Sequence, residues 1–251
     1  AGNPPPRIAE TPSGMLNSVG LQNPGIDYFI EHELPNLIHK DTRIIANVAG
    51  STAEDCVTIA QKLEPTAVDM IELNISCPNV KQGGAAFGIS CSSAADITAK
   101  VRKATTKPLM VKLSPNVTSI SEIAKAVEAA GADAVSLINT LLGMKIDINT
   151  RRPVLKNNVG GLSGPAVFPV ALRMVWQVAN AVSIPVVGMG GIEKWQDAVE
   201  MLLAGASALQ MGAAIFADPY APLKVIDGLN EYLDSHNIGK VTELVGKVQP
   251  W

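Results

Sequence analysis

From about residue 43 the chain alternates between short β-branched apolar runs and longer segments whose apolar residues recur every three to four positions. The runs Arg43–Ala49, Asp69–Ser76, Pro108–Leu113, Ala134–Asn139, Ile184–Met189 and Ala208–Ile215 read as buried strands of a parallel sheet. The segments between them read as amphipathic helices. Ser51-Thr52-Ala53-Glu54 and Ser119-Ile120-Ser121-Glu122 are capping-box patterns, in which side chains satisfy the free N–H groups of a helix start. Cys56, Ile59, Ala60 and Leu63 then share one helical face, as do Trp195, Ala198, Val199, Leu202 and Leu203. The Ala-Gly pairs at 130–131 and 204–205 sit where a helix ends and turns into the next strand.

Continuous βα alternation implies a parallel sheet, either open or closed into a barrel. An open sheet gathers ligands at one switch point, whereas a barrel brings all its strand ends around one axis. Here Asn47, Asn74 to Asn79, Lys112, Asn139 with Thr140, Gly188 to Gly191, and Gly212 follow six successive strands, which favours the barrel. Six strands are two short of the eight that close such a barrel. Residues 1–42 offer no convincing buried strand, only a Pro-rich start, a Gly/Asn-rich stretch over Ser13–Gly25 and a helix around Ile26–Ile38. The expected fold is therefore an α/β (β/α)8 TIM barrel whose first two strands are absent from this chain, a single domain over residues 1–251.

Composition narrows the class without naming a chemistry. The 251 residues are 47% hydrophobic with a net charge of −3, enough for a large core and without a basic stripe for nucleic acid or a membrane surface. No apolar run is long enough to span a bilayer, and the N-terminus lacks the apolar stretch of a signal peptide. Three cysteines, few and odd in number, fit free thiols in a reducing compartment, so a cytoplasmic protein is expected.

Several groups carry candidate chemistry. Gly188-Met189-Gly190-Gly191, with Gly212-Ala213 about twenty residues on, falls after the last two strands, where barrels of this type grip phosphate. The plain alternative is two tight turns that need glycine for geometry. Lys112 ends a buried strand, which is costly unless it meets an anion or an electron-rich ring; a structural ion pair is the alternative. Asn17, Asn47, Asn74, Asn79 and Asn139 sit in loops or strand ends of one face. Together they suit a planar ligand with alternating C=O and N–H groups, though a single asparagine is commonly a turn former. Cys56 lies on an apolar helix face and reads as a small hydrophobe, and Cys91 has no evident role. Cys77 leads into the Gly-rich stretch 81–88, a candidate lid, so its thiol could serve as base or nucleophile. The cysteines and histidines form no zinc-binding pattern.

Asn74-Ile75-Ser76-Cys77-Pro78-Asn79, followed by Val80-Lys81-x-Gly83-Gly84-x-Ala86-Phe87-Gly88, resembles the class 1B dihydroorotate dehydrogenases. The likeness continues through Glu10 to Asn23, Ile44 to Gly50, Val111 to Asn116, Ile138 to Thr140, Gly160 to Gly164 and Gly188 to Gly191. It implies the catalytic FMN subunit of an NAD-dependent enzyme that oxidises dihydroorotate to orotate in de novo pyrimidine biosynthesis. By that likeness Asn47, Asn74, Lys112, Ile138, Gly164, Gly190, Gly191, Gly212 and Ala213 hold FMN. Asn17, Ser18, Val19, Gly20, Leu21, Asn74, Asn79, Asn139 and Thr140 hold the substrate. Cys77 takes the C5 proton while hydride leaves C6 for the flavin. Cysteine, where class 2 enzymes carry serine, and the Lys-x-Gly-Gly stretch point to class 1B. A partner subunit with FAD and a 2Fe–2S cluster would pass electrons to NAD, around a homodimer core within a heterotetramer. The family carries an N-terminal stretch that supplies the first two strands, and the natural protein is expected to have it. A flavin-dependent dihydropyrimidine dehydrogenase, a flavin-free phosphate-binding barrel and a non-catalytic remnant that keeps only partner binding are the competing readings.

Overall fold

The computed structural model describes residues 2–76 and 87–251. It begins with a hairpin, β1 (Ile8–Thr11) and β2 (Gly14–Asn17), closed at Thr11 and Gly14. Helical turns follow over residues 26–37, with a wider π turn at Phe29–Glu33. Four parallel strands come next: β3 (Ile45–Val48), β4 (Met70–Asn74), β5 (Leu109–Lys112) and β6 (Ala134–Leu137). An excursion then makes β7 (Leu141–Gly143), the small ribbon of β8 (Ile146–Asp147) and β9 (Arg152–Pro153), and β10 (Gly160–Ser163). The parallel series resumes with β11 (Val186–Met189) and β12 (Ala208–Gln210).

The six parallel strands lie side by side in chain order, β3-β4-β5-β6-β11-β12. Helices Ala53–Leu63, Cys91–Ala104, Ile120–Ala129, Phe168–Ala179 and Trp195–Leu203 fall between successive strands, as parallel crossovers require. All six predicted strands are present, each shorter than its apolar run. The last is cut most: β12 stops at Gln210, and Ala214–Ala217 is helical instead of extending the strand to residue 215. Short apolar runs are ambiguous between the two states, and Gly212 interrupts this one.

Two local readings also change. The first crossover helix is capped by Thr52 with Asp55, not by Ser51 with Glu54: the Asp55 N–H donates to Thr52 Oγ1 at 3.0 Å, and the Thr52 N–H to Asp55 Oδ2 at 2.9 Å. Ser119 does cap its helix, accepting from the Glu122 N–H at 3.4 Å. The larger change is a second sheet, in the order β1-β2-β10-β7 and antiparallel throughout. Its hairpin occupies residues read as loop. These strands are half-exposed and rich in glycine, and a small satellite core of Ala9, Leu16 and Leu155, with Val154 and Leu162 packed against it, anchors them.

The two faces of the parallel sheet differ. Ile71, Leu73, Leu109, Val111, Val135, Leu137 and Val186 face the helices and join Ala60, Leu63, Ile97, Val127, Val175 and Met201 in one continuous core. Each such buried side chain contributes about 1.5–3 kcal/mol. The opposite face is polar toward the strand ends. Register sets Asn47 beside Glu72, and Asn74, Lys112 and Ser136 in a row across β4, β5 and β6. The apolar runs thus concealed a polar layer on alternate residues.

Glu64, just past the first crossover helix, clasps the residues leading into β5. Its carboxylate accepts from the Thr105 and Thr106 hydroxyls and from the Thr106 N–H at 3.0 Å. These hydrogen bonds, the one from Thr105 foremost, lower its pKa from 4.5 to about 2. A lowered carboxyl pKa contributes stability that is present above the unfolded value and lost as pH falls through the folded one. Glu64→Gln is therefore expected to melt a few degrees below the parent at neutral pH. The gap should close between pH 4.5 and about 2, as thermal melts across that window would show. A gap independent of pH would refute the clasp.

Candidate functional site

The two sheets enclose a cavity of about 350 Å3. That is at the lower end of the range for small-molecule sites, about 300–1,000 Å3. β1, β2 and β10 wall one side through Ile8, Met15, Asn17 and Leu162. Lys112, Met189 and Gln210, at the C-terminal ends of β5, β11 and β12, wall the other. Of the residues singled out in the sequence, Asn17, Val19, Lys112, Ile138, Asn139, Thr140, Gly164, Gly190, Gly191, Gly212 and Ala213 all line it. They come from six separated stretches of chain, which the topology brings to one place.

The glycines divide into two kinds. Gly190 (φ 119°) and Gly191 (φ 75°) adopt backbone conformations that side chains disfavour, and a Cβ on Gly191 would stand 2.8 Å from the Gly164 carbonyl oxygen. Gly164 (φ 97°) packs so closely on Gly14 that a Cβ would meet its Cα at 2.7 Å. Those three are glycine because the fold requires it. Gly212 differs: a Cβ there would meet nothing within 4 Å, so the space over it belongs to the cavity. Turn geometry therefore accounts for Gly164, Gly190 and Gly191, whereas at Gly212 no packing constraint demands glycine.

Lys112 reaches the cavity, and among the described residues its ammonium has neither an ion-pair nor a hydrogen-bond partner. The structural ion pair considered for it is thus not formed there. A half-buried cation without a partner is held at a cost, which a bound anion or electron-rich ring would offset.

Three of the asparagines, Asn47, Asn74 and Asn139, belong to one chain of hydrogen bonds. Asn47 Nδ2 donates to Glu72 Oε2, and Asn74 Nδ2 to Asn47 Oδ1 at 3.4 Å. Asn74 Oδ1 accepts from the Ser76 N–H at 3.1 Å and from Ser76 Oγ at 2.7 Å. Ser76 Oγ in turn accepts from Asn139 Nδ2 at 2.7 Å, and Asn139 Oδ1 from the Thr140 N–H at 2.8 Å. This chain runs along the C-terminal ends of β3, β4 and β6. Asn47 and Asn74 therefore meet the cavity residues through Ser76 and Asn139 instead of lining the cavity themselves.

The remaining candidates lie nearby or outside the described residues. Ser18 is fully buried, its hydroxyl without a hydrogen-bond partner among the described residues, next to Asn17 and Val19 of the cavity wall. Gly20 (φ 77°) turns the chain against Asn3. Leu21 lines a separate depression beside Asn47. Cys77 and Asn79 lie outside the described residues, as does most of the Gly-rich stretch. Cys56 is 1% exposed, and burial pushes its thiol up to about 11, in keeping with an inert core residue, whereas Cys91 is exposed.

Glu72, Ser76, Ser136 and Gln210 were missed. Glu72 is 4% exposed, and Ser136 Oγ and Gln210 Nε2 donate to its Oε1 at 2.7 and 3.0 Å. An available signal existed: an acid inside Met70-Ile71-Glu72-Leu73-Asn74 is as costly to bury as the lysine that was noticed.

Comparison with known proteins identifies relatives. The dihydroorotate dehydrogenase family pattern matches residues 1–233. The chain is 58% identical over 249 residues to the "dihydroorotate dehydrogenase B (NAD(+)), catalytic subunit" of Bacteroides thetaiotaomicron, covering 99% of this chain and 82% of that protein. It is 59% identical over 246 residues to the protein of the same name in Parabacteroides distasonis, covering 98% of this chain and 81% of the relative. With that of Alkaliphilus oremlandii it shares 55% over 248 residues, 99% of this chain and 82% of the relative.

Proposed function

The chain belongs to the dihydroorotate dehydrogenase family, and from that premise we propose that it oxidises dihydroorotate to orotate in de novo pyrimidine biosynthesis. The observation that carries this reading is that one cavity brings together Lys112, unpartnered among the described residues, the open space over Gly212 and the Asn17 and Asn139 amides. These groups fit FMN. Gly190, Gly191, Gly212 and Ala213 would hold its phosphate, and Gly164, Ile138, Lys112, Asn47 and Asn74 would hold the rest of the cofactor. Bound there, FMN supplies the acceptor for the hydride that leaves C6 of the substrate.

The chain's own residues do the rest. Asn17, Ser18, Val19, Gly20, Leu21, Asn74, Asn79, Asn139 and Thr140 hold the dihydropyrimidine ring and its carboxylate. The Cys77 thiolate removes the C5 proton. Ser76, the residue before Cys77 in the sequence, is 1% exposed and hydrogen-bonded to Asn74 and Asn139. Residues 1–251 act as one FMN-binding barrel domain, built on the six consecutive parallel strands of a TIM barrel.

The relatives' name, an NAD(+) enzyme's catalytic subunit, supports electron transfer to a second subunit. That partner would carry FAD and a 2Fe–2S cluster and reduce NAD, around a homodimer core in a heterotetramer. Among the described residues no helix is long and apolar enough to cross a membrane. A cytoplasmic location accords with this biosynthetic role.

Substrate choice is the test. Under anaerobic conditions dihydroorotate should reduce the bound flavin and dihydrouracil should not; reduction by dihydrouracil alone would transfer the chain to dihydropyrimidine oxidation. Gly212→Ala separates ligand contact from folding. It should leave the melting temperature within a few degrees of the parent, since its Cβ meets nothing within 4 Å. FMN affinity should fall by about tenfold, the worth of one displaced charged-group hydrogen bond, and unchanged FMN affinity would remove Gly212 from the phosphate grip.

A further inference from the structure

The buried acid Glu72 has no part in the chemistry above, yet it terminates the amide chain that does. We propose that Glu72 is a positioning residue: its carboxylate fixes the donor direction of the relay Asn47–Asn74–Ser76–Asn139, so that the relay offers N–H groups to oxygen atoms of the substrate. The proposal rests on the functional reading above for the identity of that substrate.

The argument follows from what each group can do. A carboxylate only accepts, while an asparagine amide offers one donating and one accepting end that look alike in shape. Glu72 sits on β4 with Asn47 donating to Oε2, and with Ser136 (β6) and Gln210 (β12) donating to Oε1. Asn47 must therefore turn its NH2 toward Glu72, which leaves Oδ1 for Asn74. Asn74 then gives its NH2 to Asn47, and its Oδ1 takes both the N–H and the hydroxyl of Ser76. With its proton spent, Ser76 Oγ accepts from Asn139 Nδ2, and Asn139 Oδ1 accepts from the Thr140 N–H. Every bond points the same way, toward Glu72.

The consequence concerns what is left over. Asn74 Oδ1 is saturated, and Asn139 Oδ1 is engaged, while each Nδ2 keeps one unspent N–H. Asn139 brings the end of this row to the cavity wall, so a ligand there meets its spare donor, which suits the carboxylate and ring carbonyls of a dihydropyrimidine acid and disfavours donor-bearing edges. Gln210 extends the same logic into the cavity wall: with Nε2 held by Glu72, its Oε1 is the end left over.

Glu72→Gln tests this, because the amide keeps the volume but accepts at only one end and can turn either way. In the FMN-loaded protein, calorimetric titration with orotate should give a dissociation constant raised about tenfold. The melting temperature should stay within a few degrees of the parent, and Ser136→Ala, which removes one grip without changing direction, should bind orotate about as well as the parent. An unchanged orotate affinity in Glu72→Gln would overturn the proposal. Should that variant fail to fold, a neutron structure of the parent protein decides instead. Deuterium on Asn47 Nδ2 facing Glu72, and on Asn74 Nδ2 facing Asn47, is expected, and the reverse sense at either link refutes the relay. A parent protein that takes up no orotate would contradict the functional reading alone, since the neutron map judges the relay without ligand.

Discussion

Replacing Cys77 by alanine is expected to slow reduction of the bound flavin by dihydroorotate by roughly 10²–10⁴-fold, the usual contribution of a positioned general base. Proton removal from C5 is the step that a small inert side chain cannot perform, whereas the residues proposed to hold FMN do not include Cys77. FMN content should accordingly stay at the parent level. Serine at the same position should retain part of the rate, because it keeps an ionisable group, though a far weaker acid than a thiol. Stopped-flow measurement of the half-reaction separates this from effects on electron exit. A parent-like rate in Cys77→Ala would take the residue out of the base role and leave the cavity without an assigned proton acceptor.

The second large effect is expected at Lys112. Its ammonium enters the cavity with no partner among the described residues, so its replacement breaks no hydrogen bond or ion pair among them. Lys112→Met keeps the length of the side chain and removes the charge. FMN affinity should fall about 10- to 100-fold, in line with losing a charge-assisted hydrogen bond of about 1.5–3 kcal/mol. The FMN-free variant, relieved of a half-buried cation, should melt no lower than the FMN-free parent. The two results together separate a ligand contact from a structural one: a drop in stability without loss of FMN would make Lys112 part of the scaffold.

The parallel strands and their crossover helices were legible because local and global signals agree there. The helix Ala53–Leu63 has both a cap and a single apolar face, and β4 to β6 are short runs bounded by turn residues. The antiparallel sheet was not legible. β1, β2 and β10 lack a buried stripe, include Gly14, Gly160 and Gly161, and are held mostly by one another. Position β12 failed through composition, since Ala213-Ala214-Ile215 suits either state until Gly212 ends the strand.

At the site, residue type carried most of the information. Lys112 and the Gly190, Gly191 and Gly212 positions stood out as expensive or permissive residues at strand ends, and all line the cavity. What the sequence hid was direction. Asn47 and Asn74 read as ligand contacts, while the structure makes them links between Glu72 and Ser76. That linking role depends on register between strands, which places Asn47 against Glu72 and Asn74 against Lys112. No local pattern encodes it. Ser136 illustrates the point, since it looked like a small strand residue until its hydroxyl was found on Glu72 at 2.7 Å.

The most direct measurement is the visible spectrum of the purified protein, recorded without oxygen before and after dihydroorotate. The account predicts a flavin band that bleaches as orotate forms, and that persists when dihydrouracil is added instead. A protein that carries flavin yet keeps its band in the presence of dihydroorotate would contradict it.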